Sequence, residues 1–158
     1  MTGENDFGGK IGIDVKKNLI EIERKLKELI KLKLSEEDEV DWFKKKVPKD
    51  IYNRALKRMK KSGETDVKKV YLHITLGECM AIMRLHKTIF YPIFTEGEYG
   101  FGSDTAFEGA LSEVIRIRNI HETHDVDVPK KMYDDKLLEI YLKKIEKSIE
   151  SAFSQTIH

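Results

Sequence analysis

Two apolar stripes at helical spacing constrain this chain more than any other feature. Val15, Leu19, Ile22, Leu26 and Leu29 step by four and three residues, with Lys and Glu between them. Leu138, Leu142, Ile145, Ile149 and Phe153 repeat the pattern toward the other end. A residue turns about 100° around a helix, so each set collects on one side and needs another apolar surface to cover it. With three Pro and ten Gly in 158 residues, little in the chain interrupts such helices. The expected fold is therefore all-α, an antiparallel bundle of four to five helices with next to no strand.

The remaining helices follow from local signals. Asp14 is placed to cap the first stripe, which makes residues 1–13 a flexible N-terminal segment and 14–158 one helical domain. Trp42 and Phe43 are the first aromatic anchors. Pro48 suits the first turn of a second helix whose inner face is Ile51, Ala55, Leu56 and Met59, stopped at Ser62-Gly63. Thr75-Leu76-Gly77-Glu78 has the spacing of a capping box, so a third helix starts there and carries Cys79, Ile82, Met83, His86, Ile89 and Phe90. Tyr91 precedes Pro92, which predicts a break. Gly97 to Ser103 reads as a flexible connection, since it follows no strand and lacks the Lys-Ser/Thr ending of a phosphate loop. A fourth helix starts at Ser103 or Asp104 and buries Phe107, Ala110, Leu111, Val114 and Ile117. A last one starts near Asp134.

Composition limits function. Lys and Arg number 29 against 28 Asp and Glu, a net charge of +1, so there is no global basic field and any nucleic-acid contact needs a local patch. The single Cys79 allows no internal disulfide, and its place on the core side of its helix makes it inert. No stretch approaches the ~18 apolar residues of a membrane span, and the polar, acidic start is unlike a signal peptide. A cytoplasmic protein without a membrane partner is expected.

The segment with readable chemistry is Arg118-Asn119-Ile120-His121-Glu122-Thr123-His124. Arg118 and His121 continue the flank that Val114 occupies, and a guanidinium entering an apolar stripe is costly unless paired or solvated. Either a cleft or subunit interface lies at this end of the helix, or Arg118 bridges to an acid on another helix. His121-Glu122-Thr123-His124 is not His-Glu-x-x-His, because the second His comes one residue early, so no metal site is assigned. His73 and His86 sit among apolar neighbours as structural residues. Lys44-Lys45-Lys46 and Lys57-Arg58-Lys60-Lys61 are the most basic stretches and, with Arg116, the candidate RNA contacts.

Arg118-Asn119 followed by His124 after five intervening residues resembles the motif of the HEPN superfamily, the higher eukaryotes and prokaryotes nucleotide-binding domains. Asp41-Trp42-Phe43, Val47-Pro48 with the Lys/Arg-rich helix, Tyr71 to Glu78, and Phe90-Tyr91-Pro92-Ile93-Phe94 occur in the order found in the Swt-type endoribonuclease branch. The resemblance runs over roughly residues 15 to 153. That branch often places its His after four intervening residues, which here is Thr123. His121 follows Arg116 at that spacing and is the alternative to His124. The resemblance implies a metal-independent, cofactor-free endoribonuclease of toxin or defence type, with an antitoxin protein as partner and a site shared across a homodimer. In it Arg118 stabilises the phosphate, His124 moves the proton and Asn119 positions.

Overall fold

The computed structural model describes the backbone of residues 2–123 and 133–157, and the side chains of 15–122 and 133–155. The described elements are α1 (Thr2–Leu34), α2 (Trp42–Lys46), α3 (Lys49–Ser62), a 3₁₀ segment (Val67–His73), α4 (Leu76–Leu85), α5 (Lys87–Thr95), α6 (Asp104–Thr123) and α7 (Asp135–Ile157). No strand occurs among the described residues, and no helix there is long and apolar enough to cross a membrane.

The all-helical expectation holds, but among the described residues seven α-helices and a 3₁₀ segment stand where four or five helices were expected. Two local causes account for the difference. Trp42 and Phe43, both buried and in edge-to-face contact at 5.3 Å, nucleate the five-residue α2. The expected third helix divides at His86 into α4 and α5. The break therefore precedes the one that Tyr91-Pro92 predicts, and Pro92 lies inside α5. An interior proline costs about 3 kcal/mol or more. Phe90, Tyr91 and Phe94, all buried, return about 1.5–3 kcal/mol each, which keeps the turn helical around it.

α1 starts at Thr2, within the segment 1–13 that the sequence sets apart from the helical domain. Propagating an existing helix adds one hydrogen bond per residue, and no proline stands in residues 2–13 to stop it. Pro48 is the N-cap of α3 and not its first helical residue. The remaining signals hold locally. Thr75 Oγ1 accepts from the Glu78 N–H at 3.1 Å and Glu78 Oε1 accepts from the Thr75 N–H at 2.9 Å. Gly63, at φ 88°, ends α3 in the left-handed region that only glycine enters freely. Asp134 caps α7 through Oδ1, which accepts from Lys136 and Leu137.

α1 is the central element, packed against α7, α4, α6 and the 3₁₀ segment. Leu19, Ile22, Leu26, Leu29 and Ile30 of α1 meet Ile82 and Met83 of α4, Val114 and Ile117 of α6, and Ile145 and Ile149 of α7 in one core. Phe94 stacks on Phe107 at 4.5 Å and 4° between planes, fastening α5 to α6. α3 is peripheral and rests chiefly on the 3₁₀ segment and α2, so its far side faces solvent along its length.

Candidate functional site

Arg118 reaches solvent from the last turns of α6, one turn beyond the buried Val114 and beside the buried Ile117. Its guanidinium does not enter the core unpaired. Nε lies 3.1 Å from Oε1 of Glu23 on α1, and Nη1 donates to Glu122 one turn further along α6. The side chains of Arg118 and Glu23 retain 24% and 15% of their exposure, whereas Glu122 retains 64%. Glu23 is therefore a half-buried anchor and Glu122 a solvent-exposed partner, easily exchanged. Oε1 of Glu23 has no hydrogen bond despite the short distance to Nε. Glu23 and Arg118 Nε therefore form a charge pair whose N–H does not point at the oxygen. Among the described residues, Nη2 of Arg118 makes no hydrogen bond.

The second oxygen of Glu23 accepts from Nζ of Lys27 at 3.1 Å, and Lys27 also donates to the Leu72 carbonyl at 2.9 Å. Lys27 is itself buried. The next carbonyl along the chain, His73, accepts from Arg58 Nη1 at 3.0 Å. Arg58 and Arg54 in turn both donate to the buried Glu78 carboxylate. A chain of polar contacts thus runs from Arg118 on α6 through α1 and the 3₁₀ segment to α3 and the cap of α4. Burial pushes the Glu78 carboxyl up, but Arg58, Arg54 and the Thr75 N–H outweigh it, and the group ends below the usual range.

Asn119 is exposed beside Arg118. His121 is buried at 4% exposure, with Nε2 and the Tyr133 hydroxyl 3.1 Å apart and the rings 5.7 Å apart. It pins the end of α6 to the start of α7. His124 lies outside the described residues. No group of three or more His, Cys, Asp and Glu converges on a metal-sized space among the described residues. Cys79 is fully buried, which pushes its thiol far up. His86 donates from Nε2 to the Lys46 carbonyl at 2.7 Å, a structural tie.

The candidate RNA contacts divide into two groups. Arg58 is committed inward to Glu78, and Arg116 is held by Glu113 through two contacts of 2.8 Å. Lys45 pairs with Asp38 at 2.9 Å and Lys46 lies 3.8 Å from Glu37. Lys44, Lys57, Lys60 and Lys61 are exposed and, among the described residues, have no carboxylate within ion-pair distance.

Glu23 and Tyr133 were not foreseen from sequence. Glu23 carried a signal: Leu19, Glu23, Lys27 and Ile30 lie within one helical face, so an (i, i+4) Glu-Lys pair stands inside a buried stripe. Such a pair satisfies itself only in part and asks for a third charge, which Arg118 supplies. Outside this network an open groove of about 820 Å³ runs along α1 and α7, bordered by Val15, Asn18, Ile22, Leu138, Leu142 and Glu146. Searches of protein-family models, curated proteins and solved structures return no match to this chain.

Proposed function

We propose that the chain is a metal-independent endoribonuclease of HEPN type that acts as a homodimer, with Arg118, Asn119 and His124 as the reacting set. The observation that supports it is the mounting of Arg118. Glu23 stands against one edge of the guanidinium from another helix, while among the described residues Nη2 makes no hydrogen bond and Nη1 donates to the exposed Glu122. A guanidinium held this way is a pre-oriented planar donor for a phosphate, which displaces Glu122 as it binds.

In the proposed reaction His124 takes the proton of an RNA 2′-hydroxyl, and the freed oxygen attacks the adjacent phosphorus. The bond to the 5′-oxygen breaks, and that oxygen leaves with a proton returned by an acid such as the partner subunit's copy of the motif. The products are a 2′,3′-cyclic phosphate and a 5′-hydroxyl. Arg118 neutralises the charge that gathers on the non-bridging oxygens, and Asn119 orients the phosphate. An imidazole suits the proton transfer because its ordinary pKa lies near neutrality. His121, buried against Tyr133, is the weaker choice for that role. An antitoxin-like protein is the partner this activity calls for.

One observation favours a second reading. Both contacts of Arg118 are carboxylates, the arrangement of a structural ion pair, and this fits a catalytically silent relative that binds RNA or serves in dimerisation. Cleavage of a labelled RNA, with chelator present, separates the two. The proposal expects activity in the wild type and a loss of about 10²-fold or more in both Arg118→Ala and His124→Ala. Cleavage at the wild-type rate in both variants overturns it, and binding without cleavage in the wild type selects the silent relative.

A further inference from the structure

The most one-sided charge distribution on the molecule lies on α2 and α3. Residues 42–63 contain nine Lys and Arg against a single acid, Asp50, whereas residues 135–157 carry four of each sign. The structure sorts these cations by direction. Arg54 and Arg58 turn toward Glu78, and Asp50 is matched to Arg54 at 3.3 Å. What remains outward is Lys49, Asn53, Lys57 and Lys60, with Lys61 at their flank. At 100° per residue, Lys49, Asn53, Lys57 and Lys60 fall within an arc of about 80° centred nearly opposite the buried Ile51, Ala55 and Met59. Lys44, exposed and without an ion-pair partner among the described residues, leads into this face from α2.

We infer that this outward face of α3 is a docking surface for the phosphate backbone of a single RNA strand, bound through Lys49, Lys57, Lys60 and Lys61 without reading its bases. From Lys49 to Lys61 there are twelve residue steps, so a rise of 1.5 Å per residue spreads the lysines over about 18 Å, enough to meet several successive phosphates. Nothing within the arc is apolar, so the face has no side chain to insert into a lipid headgroup layer, as an interfacial helix has. A convex row of long, flexible point charges suits a regular polyanion. The contacts of Arg58 and Lys27 to the consecutive carbonyls of His73 and Leu72 join this helix to the Glu23–Arg118 pair. The choice of RNA among polyanions rests on the ribonuclease reading above.

Binding of a fluorescein-labelled 2′-O-methyl RNA, which has no 2′-hydroxyl to attack, measures the surface independently of cleavage. Fluorescence anisotropy over a salt series is expected to give a slope of log K against log salt near −3, about −0.7 for each lysine-phosphate contact on a single strand. The Lys49→Gln/Lys57→Gln/Lys60→Gln/Lys61→Gln variant is expected to lose most of that slope and at least tenfold in affinity at low salt. It should keep the wild-type circular dichroism, since none of the four side chains has a partner among the described residues. A variant with Lys16, Lys17, Lys87 and Lys136 changed to Gln removes the same charge elsewhere and is expected to bind nearly as well as the wild type. Equal binding by wild type and the α3 variant, equal loss in the two variants, or no binding by the wild type each overturns the inference. Binding that depends on α3, with unmodified RNA left intact, retains this surface and removes the ribonuclease reading. Cleavage that the α3 variant performs with unchanged KM retains the ribonuclease and removes the surface.

Discussion

Replacing Glu23 by Gln removes the one negative charge that lies between Lys27 and Arg118. The side chains of Glu23, Lys27 and Arg118 keep 15%, 11% and 24% of their exposure, so the two cations are left facing each other with little water between them. Breaking a fully buried ion pair by deleting one partner costs about 3–5 kcal/mol. The residual exposure here, and the Leu72 carbonyl that continues to accept from Lys27, reduce the expected loss to about 2–3 kcal/mol. For a domain of this length, each kcal/mol lowers Tm by about 2–4 °C, so thermal unfolding should shift by roughly 4–12 °C. Glu122→Gln supplies the internal control, because a 64% exposed partner should change stability by less than about 0.5 kcal/mol. Replacing Lys27 by Met together with Glu23→Gln removes the buried cation and should recover much of the loss. A Glu23→Gln protein that melts within 1–2 °C of the wild type, by about the precision of the method, would refute the account of Glu23 as the anchor of this network.

Two further predictions concern pH. Glu78 has a folded pKa below its ordinary 4.5, so its stabilisation is complete above the unfolded value and is lost as pH falls through the folded one. In urea titrations the stability gap between wild type and Glu78→Gln should therefore be largest near neutrality and narrow on acidification, and a gap independent of pH would contradict the assigned pairing with Arg58 and Arg54. Tyr91 is pushed up to about 12 by burial and by donation to Glu108. Its contribution is present below the ordinary 10 and fades as pH rises through about 12, so the difference in phenolate absorbance between wild type and Tyr91→Phe should rise late, and a difference centred near 10 would show the phenol free of Glu108.

The candidate site was legible in part. Arg118 was singled out because a charge continues an apolar stripe, and one of the two explanations open at that point, a bridge to an acid on another helix, is the contact the structure contains. The identity of the acid was not legible, since Glu23 and Arg118 belong to helices far apart in sequence and only packing brings them together. Of the two histidines, His121 lies on the inward side of α6 and meets Tyr133, a residue with no periodic signal of its own. The basic stretches looked alike as sequence, yet Arg58 faces a buried carboxylate and Lys57 beside it faces water. Their separation follows from which side of α3 rests on the 3₁₀ segment.

By itself the sequence determined what depends on neighbours within one or two turns. The apolar stripes of α1, α6 and α7, the Thr75–Glu78 capping box and the glycine stop at Gly63 all involve groups that a helix places together wherever it sits. Tertiary structure alone decided the rest. Burying Phe90, Tyr91 and Phe94 carried α5 through Pro92, a cost that local propensity counts against a helix. Packing α6 against α1 chose Glu23 for Arg118, and seating α3 on the 3₁₀ segment sent Arg54 and Arg58 inward and left Lys49, Lys57, Lys60 and Lys61 outside. Charge pairing across helices depends on distances of a few ångströms, and only the packed core sets those distances.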